Sequence, residues 1–127
     1  MAVSGDAVAT GLINSLAQPG GNVTGTTFFG PELAAKRLEL LHDAVPRARQ
    51  VAVLVNPDNP VNGPVLKAMD STAATLKLNL QQFVVRGANE LDDAFAKIAA
   101  QHLDGVAIFE DAITVANTSA IAQLAAK

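Results

Sequence analysis

The sequence predicts an α/β domain in which a doubly wound parallel sheet lies between two layers of helices, and three observations support this fold class. Residues 50–56 are a nearly continuous run of β-branched and aliphatic residues, which is typical of a strand covered on both faces. Such extended runs alternate along the chain with amphipathic, helix-like segments. The chain has 127 residues, of which 50% are hydrophobic, so it can bury one core. Strands that alternate with helices and connect through right-handed crossovers form a parallel sheet within three layers.

The first thirty residues predict a strand, a helix and an extended crossover. Residues 2–4 resemble a strand end, and the apolar periodicity of residues 7–17 predicts a helix that Asp6 caps. The Pro-Gly-Gly sequence at 19–21 ends that helix. Residues 22–29 are rich in Val, Thr and Phe and predict an extended segment.

The next elements are a helix, the central strand and a second helix. Pro31 suits the first position of the first helix, and Pro46 marks its end. The predicted buried stripe of this helix is Ala34, Leu38, Leu41 and Val45. Residues 50–56 then form the central strand, and the second helix begins between Pro60 and Pro64. Its predicted core face is Leu66, Met69, Ala73 and Leu76.

The rest of the sequence predicts two more strand–helix units. Residues 80–85 alternate and suit a strand nearer the sheet edge, and Asn89 can cap the helix that follows. The inward face of this helix is Leu91, Phe95 and Ile98. Residues 105–109 predict a third, buried strand, and residues 113–126 a last helix. Because a crossover helix normally leads to a further parallel strand, we expect the chain to be a segment of a longer protein.

Composition and charge argue against several classes of protein. The formal net charge is −3 and the Lys and Arg residues are scattered, so nucleic acid is a poor candidate partner. No apolar run has the ~18 residues that cross a bilayer. The chain has no cysteine, and neither His42 nor His102 has ligand-like spacing to another His or carboxylate, so we expect no metal site. No serine has a nucleophile-elbow context and no glycine-rich loop joins a strand to a helix, so we expect no enzymatic activity and no cofactor.

The candidate ligand-binding residues follow the predicted strands, because ligands bind open parallel sheets outside the carboxyl ends of the strands. Asn56 and Asp58 follow the central strand, although Asn and Asp equally suit a tight strand-to-helix turn. Arg86 follows the second strand. It could hold a carboxylate through two hydrogen bonds or lie free in solvent.

Two further candidates lie near the third strand and the crossover. Glu110 follows the third strand and is adjacent to Asp111, so the two side chains diverge in an extended segment. They therefore suit a solvated or capping role better than acid–base chemistry. Phe28 and Phe29 are the aromatic candidates for contact with an apolar solute.

Four motifs carry a resemblance to a known family. They are SGDAVATGLI at 4–13, SLAQPGGNVTG at 15–25, PELAAKRLELL at 31–41 and VAVLVNP at 51–57. In their order and spacing they resemble ABC-transporter substrate-binding proteins related to tryptophan and tyrosine uptake. The similarity runs over essentially the whole chain.

The resemblance implies a type 1 periplasmic-binding architecture, in which two flavodoxin-like lobes close around a small solute and deliver it to a membrane permease. It implies that residues 1–21 are the end of the first lobe with its hinge helix and that residues 22–29 are the crossover between lobes. Residues 30–127 would be an incomplete second lobe that lacks its last strands. The implied solute is an amino acid or aromatic compound, and the implied location is periplasmic or extracytoplasmic.

Two other functions stay open on the sequence. An effector-binding domain of a transcription regulator has the same two-lobe body behind a DNA-binding head. A phosphoryl-accepting receiver domain has an acidic cluster after its first strand, but this sequence lacks the carboxylate pair and the later lysine of a receiver.

The oligomeric state follows from the expected strand order. In the order 2-1-3, residues 106–109 lie at the sheet edge although their composition suits an interior strand. We therefore expect this chain to form a homodimer or larger assembly.

Overall fold

The computed structural model describes residues 2–4, 7–8, 10–27 and 29–126. Its elements, in chain order, are β1 (Ala2–Ser4), β2 (Gly25–Thr27), α1 (Gly30–Ala44), β3 (Gln50–Val55), α2 (Asn62–Leu76), β4 (Asn79–Val84), a short 3-10 helix (Ala88–Glu90), α3 (Leu91–Ala100), β5 (Gly105–Ala107), α4 (Ala112–Ala116) and α5 (Thr118–Ala125). None of the helices within these ranges is long and apolar enough to span a membrane.

The strands form two parallel sheets. β1 pairs with β2. The larger sheet has the order β4-β3-β5. Its register sets Gln50 opposite Asn79 and Val51 opposite Gly105. The predictions of a parallel sheet and of a central strand at residues 50–56 are confirmed.

The central strand β3 contributes to two cores, because successive side chains of a strand point to opposite faces. Val51, Val53 and Val55 pack in a cluster with residues of α1 and α2. Ala52 and Leu54 pack in a second cluster with residues of α3 and α5. Helices therefore cover both faces of the sheet, which confirms the predicted three-layer, doubly wound arrangement.

Prolines lie near both ends of α1 and in the first turn of α2. Pro31 lies in the first turn of α1, and α1 ends at Ala44, where the amide of Val45 donates to the carbonyl of Leu41 at 2.9 Å. The predicted stripe holds for Ala34 and Leu38, which are buried, and for Leu41, which is partly buried. It is wrong for Val45, which is 41% exposed because it follows the end of the helix. α2 begins at Asn62, within the predicted interval.

The predicted helix at residues 7–17 is absent from the described part of that segment, which forms turns and bends. Gly11 has a φ of 71°, which is left-handed and interrupts a right-handed helix. Its amide donates to the carbonyl of Val8 at 3.0 Å and closes a short turn. The predicted cap, Asp6, lies outside the described residues.

Polar side chains and solvent exposure explain why this segment does not become helical. The Ser15 Oγ accepts a hydrogen bond from the amide of Gln18 at 3.0 Å, and such local bonds compete with helix formation. Leu12 and Leu16 are exposed. The segment therefore lacks the packed apolar face from which most helices gain their stability.

Three smaller predictions also need correction. Asn89 does not cap α3. A 3-10 helix precedes Leu91 instead, and its turn is closed by a backbone hydrogen bond from the amide of Glu90 to the carbonyl of Gly87 at 3.1 Å. The strand expected at 105–109 is shorter, and its residues are only partly buried since β5 is an edge of the described sheet. The last helix is divided at Asn117, whose backbone φ of −117° is not helical.

Candidate functional site

All three strands of the larger sheet have their carboxyl ends on the same side of the sheet, and we call this side the rim. It consists of the loops that follow Val55 of β3, Val84 of β4 and Ala107 of β5. The parallel pairing brings these ends together, and the amide of Val85 donates to the carbonyl of Val55 at 2.9 Å. Asn56, Asp58, Arg86 and Glu110 therefore all follow strand ends at the same rim, as the sequence predicts.

Two asparagines shape the β3–α2 loop. The Asn56 Oδ1 accepts from the amide of Asp58, and the Asn59 Oδ1 accepts from the amide of Val61, each at 3.1 Å. Such asparagine turns replace the backbone hydrogen bonds that the chain loses between a strand and a helix. Asn56 therefore forms the tight strand-to-helix turn that its residue type suits. The Asp58 side chain is exposed at the tip of this loop.

A buried carboxylate joins this loop to the loop after β5. The Asp111 Oδ2 accepts from the Nδ2 of Asn56 at 3.0 Å and from the Nδ2 of Asn59 at 2.8 Å. Its other oxygen, Oδ1, accepts from the amide of Ile113 at 2.8 Å and caps α4. The Thr114 hydroxyl accepts from the amide of Asp111, which completes a capping box. Asp111 is only 7% exposed, so its bonds lie mostly out of contact with solvent.

Asn62 adds a second buried polar group beside the same loop. Its Nδ2 donates to the carbonyl of Asn56. Its Oδ1 is buried and has no hydrogen-bond partner among the described residues. Buried acceptors are normally paired, so this oxygen is a point at which a donor group would be stabilised.

Glu110 connects the rim to α1. Its Oε1 lies 2.5 Å from the Nη2 of Arg37. The hydrogen bond from Arg37 lowers the pKa of Glu110 from its ordinary value, and partial burial opposes that shift. The carboxylate of Glu110 is therefore held in its charged form. The sequence analysis considered a solvated or capping role for Glu110 and did not predict this ion pair.

The side chain of Arg86, like that of Asp58, has no hydrogen bond or ion pair within the described ranges. Its backbone amide donates to the Oε2 of Glu90 at 2.8 Å. The residue lines an open groove of about 450 Å³ together with Glu90, Asp93 and Lys97. The exposed guanidinium is thus available to a ligand. Phe28 lies outside the described residues, and its neighbour Phe29 is exposed at the start of α1.

The structure brings together residues that the sequence analysis did not connect. Asn56 and Asp111 are 55 positions apart, and no local pattern relates them. Asn62 and Arg37 were not among the candidate residues at all. Asp111 caps α4, which is one of the roles that the sequence analysis gave it, and its spacing to Thr114 is that of a capping box.

The rim offers hydrogen-bond donors, acceptors and charges for binding a small molecule. Exposed Arg86 and Asp58 supply one positive and one negative group. No group of three or more His, Cys, Asp or Glu residues in the described part of the chain could hold a metal ion. The arrangement can recognise polar and charged groups of a solute through non-covalent contacts.

An open parallel sheet with polar residues collected at its carboxyl rim belongs to the class of doubly wound α/β domains, which bind their ligands at that rim. The comparison with protein families narrows this class. The family model described as ABC transporter substrate binding protein matches residues 1–127, the whole chain. The chain therefore belongs to the ABC transporter substrate-binding protein family, and the resemblance found in the sequence is confirmed.

One named relative and two solved structures are similar to this chain. The chain is 28% identical over 123 residues to a tyrosine-binding protein of Clostridioides difficile strain R20291, an alignment that covers 94% of this chain and 34% of the relative. The crystal structure of an ABC domain from Streptococcus pneumonia in complex with L-Trp matches with a TM-score of 0.79 at 20% identity over 94% of this chain and 40% of that one. A conserved domain protein from Vibrio cholerae O1 biovar El Tor strain N16961 matches with a TM-score of 0.81 at 23% identity over 96% of this chain and 40% of that one.

The solved structures bear on the fold alone, since their sequence identities to this chain are low. The predicted α/β lobe of a periplasmic-binding architecture is thus confirmed as a fold class. The chain spans about a third of the length of the tyrosine-binding relative and about two fifths of each solved chain. The division into residues 1–21, 22–29 and 30–127 stays a prediction.

Proposed function

We propose that the chain forms part of the solute-binding component of an ABC importer and contributes one wall of the cleft that holds the solute. The observation that carries this proposal is the match of the substrate-binding family to all 127 residues. In this mechanism, contacts from two lobes favour a closed state over an open one, and a permease recognises the closed state. The chain acts by binding and performs no covalent chemistry.

The proposed solute is an amino acid with an aromatic side chain. One relative is named a tyrosine-binding protein, and one structural neighbour was solved with L-Trp. An amino acid carries a carboxylate and an ammonium group, and the exposed Arg86 and Asp58 are complementary to these two charges. Asn56, Glu110 and Phe28 complete the proposed set of ligand-binding residues.

The partners and location follow from the same proposal. The solute-loaded protein would act outside the cytoplasm and deliver its cargo to a membrane permease. Permease and ATPase genes beside the gene for this chain would support import over the alternative, an effector-binding domain of a transcription regulator. The 127-residue chain by itself would associate with further copies through apolar surface.

The full-length protein provides the direct test. Thermal-shift measurements with L-tyrosine, L-tryptophan, L-phenylalanine and a sugar should show stabilisation by the aromatic amino acids. Arg86→Gln should weaken the binding of the stabilising amino acid, measured by calorimetry. The matched control is Arg47→Gln, because Arg47 is exposed and precedes β3 at the opposite end of the sheet. Stabilisation by the sugar alone would contradict the proposed solute. Equal affinity of the Arg86→Gln and Arg47→Gln variants would contradict the proposed role of Arg86.

A further inference from the structure

We propose that Asp111 is a positioning residue that locks the β3–α2 loop to the β5–α4 loop and so fixes the geometry of the solute-binding rim. This inference rests on the proposed function for its consequence in solute binding. It goes beyond a capping role, because a cap requires only the bond from Ile113 N to Asp111 Oδ1.

The two oxygens of Asp111 have separate tasks. Oδ1 faces its own helix α4, whereas Oδ2 faces the other loop and accepts from the side-chain amides of Asn56 and Asn59. All three contacts need an acceptor, and an ionised carboxylate has only acceptor oxygens. Because Asp111 is 7% exposed, water has little access to replace a contact that is lost.

The two asparagines that donate to Asp111 also shape the β3–α2 loop. Asn56 and Asn59 use their Nδ2 atoms for Asp111 and their Oδ1 atoms for the amides of Asp58 and Val61. Asp111 therefore fixes the orientation of both side-chain amides and, through them, the turn that presents Asp58. Asp111 also follows Glu110 directly, so the same contacts restrain both acidic candidates of the rim, Asp58 and Glu110.

Asparagine at position 111 separates the lock from the cap. Asparagine caps helices about as well as aspartate, so Asp111→Asn can keep the contact with Ile113. It replaces Oδ2 with a donor that faces the amide donors of Asn56 and Asn59. Asn59→Asp creates the complementary mismatch, two carboxylates in contact, while it keeps the acceptor for Val61. In the double variant the new amide at position 111 can donate to the new carboxylate at position 59, which restores one of the two contacts between the loops.

The test is amide hydrogen exchange in the full-length protein. Asp111→Asn and Asn59→Asp should each raise the exchange rate at Asp58 and Val61 roughly tenfold, as expected for the loss of hydrogen bonds to a charged group. The double variant should exchange more slowly than either single variant. Asp70→Asn, which changes an exposed carboxylate on α2, should leave exchange in the loop unchanged. Because the mismatch is made from either loop, the test does not depend on one variant folding.

Solute affinity is the second measurement. If the full-length protein binds tyrosine, its affinity should fall in both single variants and recover in part in the double variant. Unchanged exchange at Asp58 and Val61, or a double variant no slower than the single ones, would overturn the role of Asp111. A full-length protein that binds no amino acid would overturn the proposed function instead, while the exchange rates would still decide whether Asp111 locks the loops.

Discussion

The guanidinium of Arg37 and the carboxylate of Glu110 lie 2.5 Å apart, from Nη2 to Oε1. This ion pair connects α1 to the segment that follows β5, across 73 positions of the sequence. Both side chains are partly exposed, so the pair should stabilise the fold only modestly, by about 0.2–1 kcal/mol. Its position at the rim matters more, because it restrains Glu110, the residue that directly precedes Asp111.

Glu110→Gln should reduce the free energy of unfolding only where Glu110 is charged. The pKa of Glu110 in the folded protein is lowered below its ordinary 4.5, chiefly by the hydrogen bond from Arg37. Its stabilising contribution is therefore fully present above the ordinary pKa and is lost as the pH falls through the lowered one. Urea unfolding near neutral pH should show wild type to be more stable than the variant, and the difference should vanish in acid. A difference that persists in acid would contradict the ion-pair explanation.

The buried stripe of α1 gives a test with a closely matched control. Leu38 is 0% exposed, whereas Leu40, two positions along the same helix, is 55% exposed. Leu38→Ala should lower the free energy of unfolding by about 2–5 kcal/mol, since it leaves a cavity between α1 and the sheet. Leu40→Ala should change it by less than about 0.5 kcal/mol. Urea denaturation of both variants measures the contrast, and equal losses would show that α1 does not pack as described.

The fold could be predicted from the sequence where one local pattern decides the structure. The apolar run at 50–56 suited a strand covered on both faces, and the stripe of α1 identified Ala34 and Leu38 as core residues. The helix expected at 7–17 failed because periodicity alone does not supply a packed partner, and Gly11 adopts a left-handed conformation there. The rim contacts could not be predicted, because Asp111 meets Asn56 only after the strands have assembled.

Asp104 gives a prediction at the amino end of the sheet. Its Oδ2 accepts from the amides of Arg49 and Gln50 at 2.8 and 2.9 Å, so it connects the start of β5 to the start of β3. These two backbone hydrogen bonds lower the pKa of Asp104, so the charged form is favoured by folding. Asp104→Ala should lower the melting temperature near neutral pH, and Asp104→Asn, which keeps one neutral acceptor, should lower it less. Equal melting temperatures for wild type and Asp104→Ala, measured by circular dichroism, would be evidence against this connection.

The free edge of β5 leads to the last prediction, the association of the 127-residue chain with itself. Within the described part of the sheet, β5 pairs with β3 on one side and has no strand on the other. Beside it, Ile108 and Leu40 are exposed and line a groove of about 330 Å³ with Leu41 and Met69. Free strand edges with apolar neighbours pair with other chains, since their N–H and C=O groups then gain partners.

Sedimentation at micromolar concentration should therefore show a dimer or larger species. Ile108→Lys should shift it toward monomer by placing a charge at the edge, whereas Val115→Lys, on the exposed face of α4, should not. A folded wild-type monomer at that concentration, or equal effects of the two lysines, would show that the β5 edge does not drive association.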